Sequence, residues 1–288
     1  MRILVYGTIN SAILLLMASG FALVYSISRV ANFAHGALYI IAAYLAWLLL
    51  NSLGVSYAIA ILISVITVGL AGAVMCRFLL IRVRGMPLSE IIGSFAIGLG
   101  VLELIRFVGF KGIAYHLPPF VEGSINLLGA SVDYHRILII GIAVVVVLFV
   151  WLFTHHTKIG LSLKGIAQDE RMAMMLGIDS DRAALLAFAI GSALAGLAAL
   201  VLVPLGTIAV EMGIEVLIYA IAICILGGLG SWGGAIIGAL VVGFAQTITS
   251  TFLGTQWQMV VALITILVIL TLKPSGILGR QKELEERV

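Results

Sequence analysis

Runs of apolar residues about as long as a bilayer crossing recur along this chain, and only one long mid-chain stretch between them is polar. A crossing helix needs roughly 20 apolar residues. Suitable runs cover 3–24, 57–76, 88–108, 137–154, 183–203, 214–226 and 259–272. Two further helices resume after interruptions, one from His35 to about Leu50 and one after Gly234 to about Phe252. None of the runs alternates as barrel strands do. In lipid that leaves the helix, which satisfies its own backbone. The expected fold class is therefore all-α: a single polytopic transmembrane helical bundle over 1–288, with about nine spans, some of them broken. Charged residues make up only 10% of the chain and hydrophobic ones 62%, against about 25% charged in soluble domains.

The polar stretch is 155–182, HHTKIGLSLKGIAQDERMAMMLGIDSDR. A charge at the bilayer centre costs a few kcal/mol or more, so this stretch lies at or beyond the membrane surface. Ala167 to Leu176 are good helix formers, and Gly177 suits a C-terminal cap. A short helix held at the surface between two membrane halves is something a soluble partner could grip. An ordinary solvated loop is the alternative.

Basic residues set the expected sidedness. With 155–182 in the cytoplasm, counting spans places Arg77, Arg82, Arg84 and Arg29 there too. Only Arg2, Arg106, Lys111 and Arg136 of the 16 Lys and Arg fall outside, which is the positive-inside pattern. The net charge of +3 thus marks cytoplasmic loops and gives no reason to expect nucleic acid. Arg2 alone is a poor signal-peptide n-region, so the first run is expected to stay as a helix. Cys76 and Cys224 suggest neither a disulfide framework nor a metal site.

Several local expectations follow. Pro87 suits a helix first turn. Glu103 and Arg106 share a helix face and can pair. Residues 109–136 read as a loop, and 137–154 as a lipid-facing span. Gly191, Ala195 and Ala199 recur every four residues, a face for close helix contact. Pro204 and Pro274 end helices, and KELEER is a polar tail. Glu211 and Glu215 are expected near the outer surface, as interface residues or as a meeting point for an outside partner.

No GxxxxGK[ST] motif occurs, so the chain offers no P-loop of its own. None of the five histidines has another at i+4, which argues against a helical zinc site. Two interruptions in apolar text, ANFAHG (31–36) and GGLGSWGG (227–234), lie in different halves, and each precedes a helix. Paired interruptions point to a solute route in transporters. That makes Asn32, His35, Gly36, Gly227, Gly228, Gly230 and Gly233 the candidate pathway residues. The alternatives are an interfacial helix cap for Asn32 and His35, and a plain turn for the glycines.

Three segments resemble one family, the bacterial branched-chain amino acid ABC permeases. They are SRVANFAHGALYIIAAYLAW (28–47), GLSLKGIAQDERMAMMLGIDSDRAALLAFAIGSALAGLAA (160–199) and GGLGSWGGAIIGAL (227–240). The resemblance covers about residues 3–280. It implies the permease fold shared with ribose-type importers. It also implies import of leucine, isoleucine and valine across the bacterial inner membrane, driven by ATP and magnesium on separate subunits. The chain itself would bind no cofactor and catalyse no reaction. The implied partners are a second homologous permease, two cytoplasmic ATPases and a periplasmic binding protein. The segment holding Gly165, Gln168, Asp169, Glu170, Met172, Ala173, Leu176 and Gly177 corresponds to the ATPase-docking helix, with Met172, Ala173 and Leu176 as its apolar face. Relatives carry urea or short amides, a second reading of the solute. An ion-coupled secondary transporter is the rival class; it needs an embedded ionisable residue, for which Glu103 and Arg106 are the candidates. A membrane enzyme lacks any clustered nucleophile, base or metal set.

Overall fold

The computed structural model describes residues 1–109, 115–127 and 130–279, so Lys111 and the KELEER tail lie outside the described residues. The chain is mostly helical. In order it runs α1 (Arg2–Ser28), α2 (His35–Asn51), α3 (Tyr57–Met75), α4 (Pro87–Val108), α5 (Tyr134–His156), α6 (Lys158–Gln168), α7 (Glu170–Met175), α8 (Ser180–Leu202), α9 (Met212–Gly227), α10 (Trp232–Phe252) and α11 (Gln258–Leu272). A π-helical turn, Cys76–Leu80, extends α3. Among the described residues seven helices are long and apolar enough to cross a membrane, and α2 and α9 are shorter apolar helices.

Three sequence expectations change. The 109–136 region is not all loop, because Ser124–Leu127 (β1) and Ala130–Asp133 (β2) pair antiparallel, with Ile125 opposite Val132. This small hairpin qualifies the all-α expectation. The single helix expected over 167–176 is two, α6 and α7, broken at Asp169, which has extended backbone and caps α7 by accepting a hydrogen bond from the Met172 N–H. Gly177 does have the positive φ expected of a cap, +82°. Pro87 begins α4 as expected.

Small residues decide the packing. α1 and α8 cross antiparallel at Gly20 and Gly191, where a Cβ on either glycine would meet the other's backbone carbonyl. Ala195 and Ala199, on the same stripe as Gly191, are fully buried. Close backbone approach of this kind replaces the hydrophobic drive that lipid removes. The pair forms the spine of the bundle, and the other helices flank it. Two large apolar cores lie around it: one runs through Leu16, Tyr39, Ile139 and Leu200, the other through Phe21, Leu217, Ile223 and Val242. α5 and α11 present apolar side chains outward over most of their length, among them Val145, Phe149, Leu263 and Leu267. That is the surface a lipid-facing helix shows, as expected for 137–154.

The order long helix, non-helical segment, short helix, long helix occurs twice, as α1–α2–α3 and as α8–α9–α10. The two copies run in opposite directions. At one end of the bundle, Val24 and Val30 cluster with Ala184 and Phe188, which puts the end of α1 beside the start of α8. That end also carries most of the charge. Arg29 donates to the Ala167 carbonyl, and Arg84 reaches Glu170 and Asp181. At the other end Arg106 pairs with Glu211 and Arg136 with Asp133. The structure thus groups Arg29 and Arg84 with the polar stretch, as the charge count requires.

Candidate translocation junction

The two short helices begin against each other. α2 opens at His35 and α9 at Met212, and a Cβ on Gly36 would overlap the carbonyl of Gly213. Glycine at 36 lets these backbones meet, and a Cβ on Gly213 would stand 3.0 Å from the Gly36 carbonyl. His35 fixes the depth of the contact. Its Nε2 lies 2.9 Å from the Met17 carbonyl, so that nitrogen carries the hydrogen and donates it. Met17 is midway along α1. Residues 29–34 therefore climb back from the charged end to the middle of the bundle before α2 starts. Residues 203–211 do the same from the opposite end, passing Pro204 and Gly206 before α9 starts.

The lead-in to α2 is held by short-range hydrogen bonds. Asn32 Oδ1 accepts from the Ala34 N–H at 3.0 Å, and the Asn32 carbonyl accepts from the His35 N–H at 3.2 Å. Phe33 N–H donates to Ser94 Oγ on α4 at 3.2 Å. Asn32 and His35 are both 1% exposed. Yet Asn32 Nδ2 and His35 Nδ1 have no partner among the described residues. Buried polar atoms are nearly always paired, so these two, like the Tyr39 hydroxyl one turn further along α2, leave hydrogen-bonding capacity unused near the junction. An interfacial cap, the alternative raised for both residues, does not describe side chains this deep.

A shallow groove opens at the junction between α2, α4 and α9. Phe33, Phe95, Leu99, Leu102, Ile214 and Leu217 wall it, with Gly36, Gly98 and Gly213 at its base. The helix N-termini add backbone N–H groups and about half a positive charge each.

The glycines of 227–234 are not part of this junction. α9 runs 14 residues from Gly213 to Gly227, about 21 Å at 1.5 Å per residue. There the chain turns into α10, with Gly228 at φ +105° and Gly230 at +87°. Ser231 caps α10 by accepting from the Gly234 N–H. Residues 276–279 lie across the turn: Ile277 N–H donates to the Leu226 carbonyl and Leu278 N–H to that of Gly227, both at 2.9 Å. Gly233 is exposed and has nothing near it. So Asn32, His35 and Gly36 come together, while Gly227, Gly228, Gly230 and Gly233 form a separate, strapped turn. The true counterpart of 31–36 is 206–213, GTIAVEMG, which sequence reasoning passed over. Its signal was present: Pro204, two glycines and an apolar run too short to cross.

The polar stretch forms a platform at the charged end. Gln168 and Asp169 are exposed, and Glu170 is bound by Arg84. Met175 and Leu176 are each 83% exposed and Met172 59%, whereas Ala173 is 4% exposed and packs inward. Ala173 therefore seats α7 on its own chain, a correction to its expected place on an outward apolar face. Gly165 accepts from the Asp169 N–H and ends α6. Gly177 has open space around it. Glu103 and Arg106, the candidates for carrying a coupling ion, pair at 3.4 Å, and Arg106 also holds Glu211 at 2.9 Å. All three are about half exposed or more, Glu103 and Arg106 in the last two turns of α4 and Glu211 just before α9.

Comparison with known proteins agrees with this architecture. Residues 3–270 match the family described as "Branched-chain amino acid transport system / permease component". The chain is 32% identical to the high-affinity branched-chain amino acid transport system permease protein BraD of Pseudomonas aeruginosa, covering 96% of this chain and 95% of that protein. It is 30% identical to the permease protein LivH of Escherichia coli, covering 92% and 91%. Among solved structures it is similar to PsaBC from Streptococcus pneumoniae in complex with Fab, with a TM-score of 0.54 at 13% identity over all of this chain and 96% of that one. At that identity the likeness is one of fold. A multi-pass bundle with this family match over most of its length belongs to the permease components of branched-chain amino acid transport systems.

Proposed function

We propose that this chain is the membrane subunit of an ABC importer, which moves leucine, isoleucine and valine across the bacterial inner membrane with ATP hydrolysed elsewhere. The observation that carries the reading is α7. A six-residue helix projects Met172, Met175 and Leu176 into solvent from the most charged end of the bundle. Exposed methionine and leucine rimmed by charge mark a surface built for a partner. Each ATPase of a pair would receive such a helix in a groove, with Met175 and Leu176 as anchors. One α7 would come from this chain and one from a homologous permease. A periplasmic binding protein would deliver the solute at the Arg106–Glu211 end. ATP and magnesium would reside on the ATPases.

Within the bundle the route would pass the junction. The segment 29–34 with α2 makes one crossing, and 203–211 with α9 another, for nine spans in the ribose-type arrangement. The paired helix N-termini suit a carboxylate, and the walls of Phe33, Leu99, Leu102 and Leu217 suit a branched aliphatic chain.

The test is uptake of labelled leucine by vesicles holding the full assembly. Uptake should stop on ATP depletion while the proton gradient is held. Persistence without ATP would favour the ion-coupled class, and uptake of labelled urea or acetamide in place of leucine would move the solute assignment. A cysteine replacing Gln168 should be labelled only from the cytoplasmic side, and one replacing Gly123 only from the other.

A further inference from the structure

One face of α4 contacts the preceding turn, the lead-in to α2 and the start of α9. Glu90, Ser94, Gly98, Leu102 and Arg106 recur every four residues and so form one line along the helix. Glu90, at 8% exposed, accepts from the Gly85 N–H at 3.0 Å and locks the preceding turn to the helix. Ser94, fully buried, accepts from the Phe33 N–H. Gly98 lies so close to the same segment that a Cβ there would stand 3.0 Å from the Ala34 Cα. Leu102 reaches Gly213. Arg106 pairs with Glu211, the residue before α9. Elsewhere α4 touches the bundle through Phe95, Val101 and Ile105, while Leu88, Ile92, Leu104 and Phe107 are exposed.

The turn that Glu90 locks carries Arg84. Its guanidinium joins Glu170, the first residue of α7, to Ser180 at 2.7 Å and Asp181 at 3.0 Å at the start of α8. Ser180 also donates to Glu170. A partly buried guanidinium bonded to two carboxylates is geometrically stiff. Contacts thus run unbroken from Glu170 of α7 through Arg84, Gly85 and Glu90 to α4.

We propose that Arg84 and the Glu90–Arg106 line of α4 transmit movement of α7 to the junction where the two half-helices meet, with Arg84 acting as a positioning residue. The inference rests on the reading of α7 as the ATPase-docking helix. It explains why a helix with so little buried surface keeps its polar contacts for the turn at one end, the Phe33–Ala34 lead-in midway and Glu211 at the other end. It also gives energy applied at one surface a continuous path of contacts to the middle of the bundle, which coupling between distant sites requires.

The experiment uses the full transporter with Cys76 and Cys224 replaced by alanine and Ile214, in the wall of the groove, replaced by cysteine. Labelling of that cysteine by a small thiol reagent is timed with and without a non-hydrolysable ATP analogue. The parent complex should show a nucleotide-dependent rate. Arg84→Gln should abolish that dependence while ATPase co-purification and ATP hydrolysis persist, and Arg84→Lys should restore part of it. Gly98→Ala, which leaves the charge cluster untouched but pushes α4 off Ala34, should abolish it as well. An unchanged nucleotide dependence in Arg84→Gln or Gly98→Ala overturns the proposal, as does a parent complex with none. Loss of ATPase binding in Arg84→Gln overturns it too, because Arg84 would then only shape the platform. Co-purification that survives Leu176→Glu would defeat the docking reading separately.

Discussion

The junction at Gly36 and Gly213 and the turn at 227–234 both depend on glycine, the first for close approach alone and the second for backbone conformation as well. At the junction neither glycine has a positive φ. A Cβ on Gly36 would collide with the Gly213 carbonyl, and one on Gly213 would press on the Gly36 carbonyl at 3.0 Å. At the turn Gly228 and Gly230 have positive φ, and Gly227 and Gly234 also meet backbone to backbone. Glycine in the first role lets elements approach, and in the second it lets one chain reverse. The proposed solute route passes Gly36 and Gly213, about 21 Å along α9 from the turn.

The largest effect is expected at Gly36→Leu. Its first side-chain carbon would overlap a backbone carbonyl, which cannot rotate away as a side chain can. Overpacking costs about 1–3 kcal/mol where side chains can yield, and here the two half-helices must separate. Leucine uptake should fall roughly tenfold or more, since about 1.4 kcal/mol is a factor of ten. Quantifying protein in the membrane alongside uptake separates lost transport from lost assembly. Normal uptake would show that the junction has slack the structure does not show.

Gly228→Leu comes next and should fail differently. Positive φ in a leucine costs on the order of 1–3 kcal/mol, and its Cβ would collide with the backbone at Gly279. The expected outcome is release of the strap at 276–279. It would be read as faster proteolysis of the C-terminal segment and reduced accumulation, with residual uptake per molecule closer to normal than in Gly36→Leu. If instead uptake per molecule vanishes while the strap stays protected, the turn belongs to the route after all.

The comparison also shows what the sequence could reveal. Hydropathy located the long helices to within a few residues, because a run such as 137–154 has no other solution in lipid. The stripe at Gly191, Ala195 and Ala199 was legible because helical spacing alone puts those residues on one face. The partnership of Gly36 with Gly213 was not, since it depends on two segments 177 residues apart folding back to the same depth. Nor could composition show that Ala173 faces inward while Met175 and Leu176 face out. That depends on the break at Asp169, which turns α7 relative to α6. Arg84 read only as one of a basic cluster, because its carboxylate partners lie on distant elements.

A third substitution, Gly177→Val, isolates backbone strain. Gly177 has φ +82° but open space where a Cβ would go, so no collision accompanies the change. A β-branched residue at positive φ is a steric outlier. α7 should lose its ending and shift Met175 and Leu176. Weaker co-purification with the ATPase is expected, with assembly of the bundle intact and uptake reduced less than in Gly36→Leu. Retained affinity would mean that the cap is dispensable for docking.

Gly233→Ala should do least, and for that reason it calibrates the others. Gly233 lies in the first turn of α10, has an ordinary helical φ, is exposed and has nothing within 4 Å of a would-be Cβ. Alanine there meets neither obstacle that defines glycine's two roles in this chain. Reduced freedom in the unfolded state should raise stability by about 0.4–1 kcal/mol. Uptake and co-purification should match the parent, and thermal unfolding in detergent should move slightly upward. If uptake falls instead, some surface approaches Gly233 during the cycle that is not packed against it in this conformation. The turn would then regain a place in transport through a moving partner rather than through its own backbone.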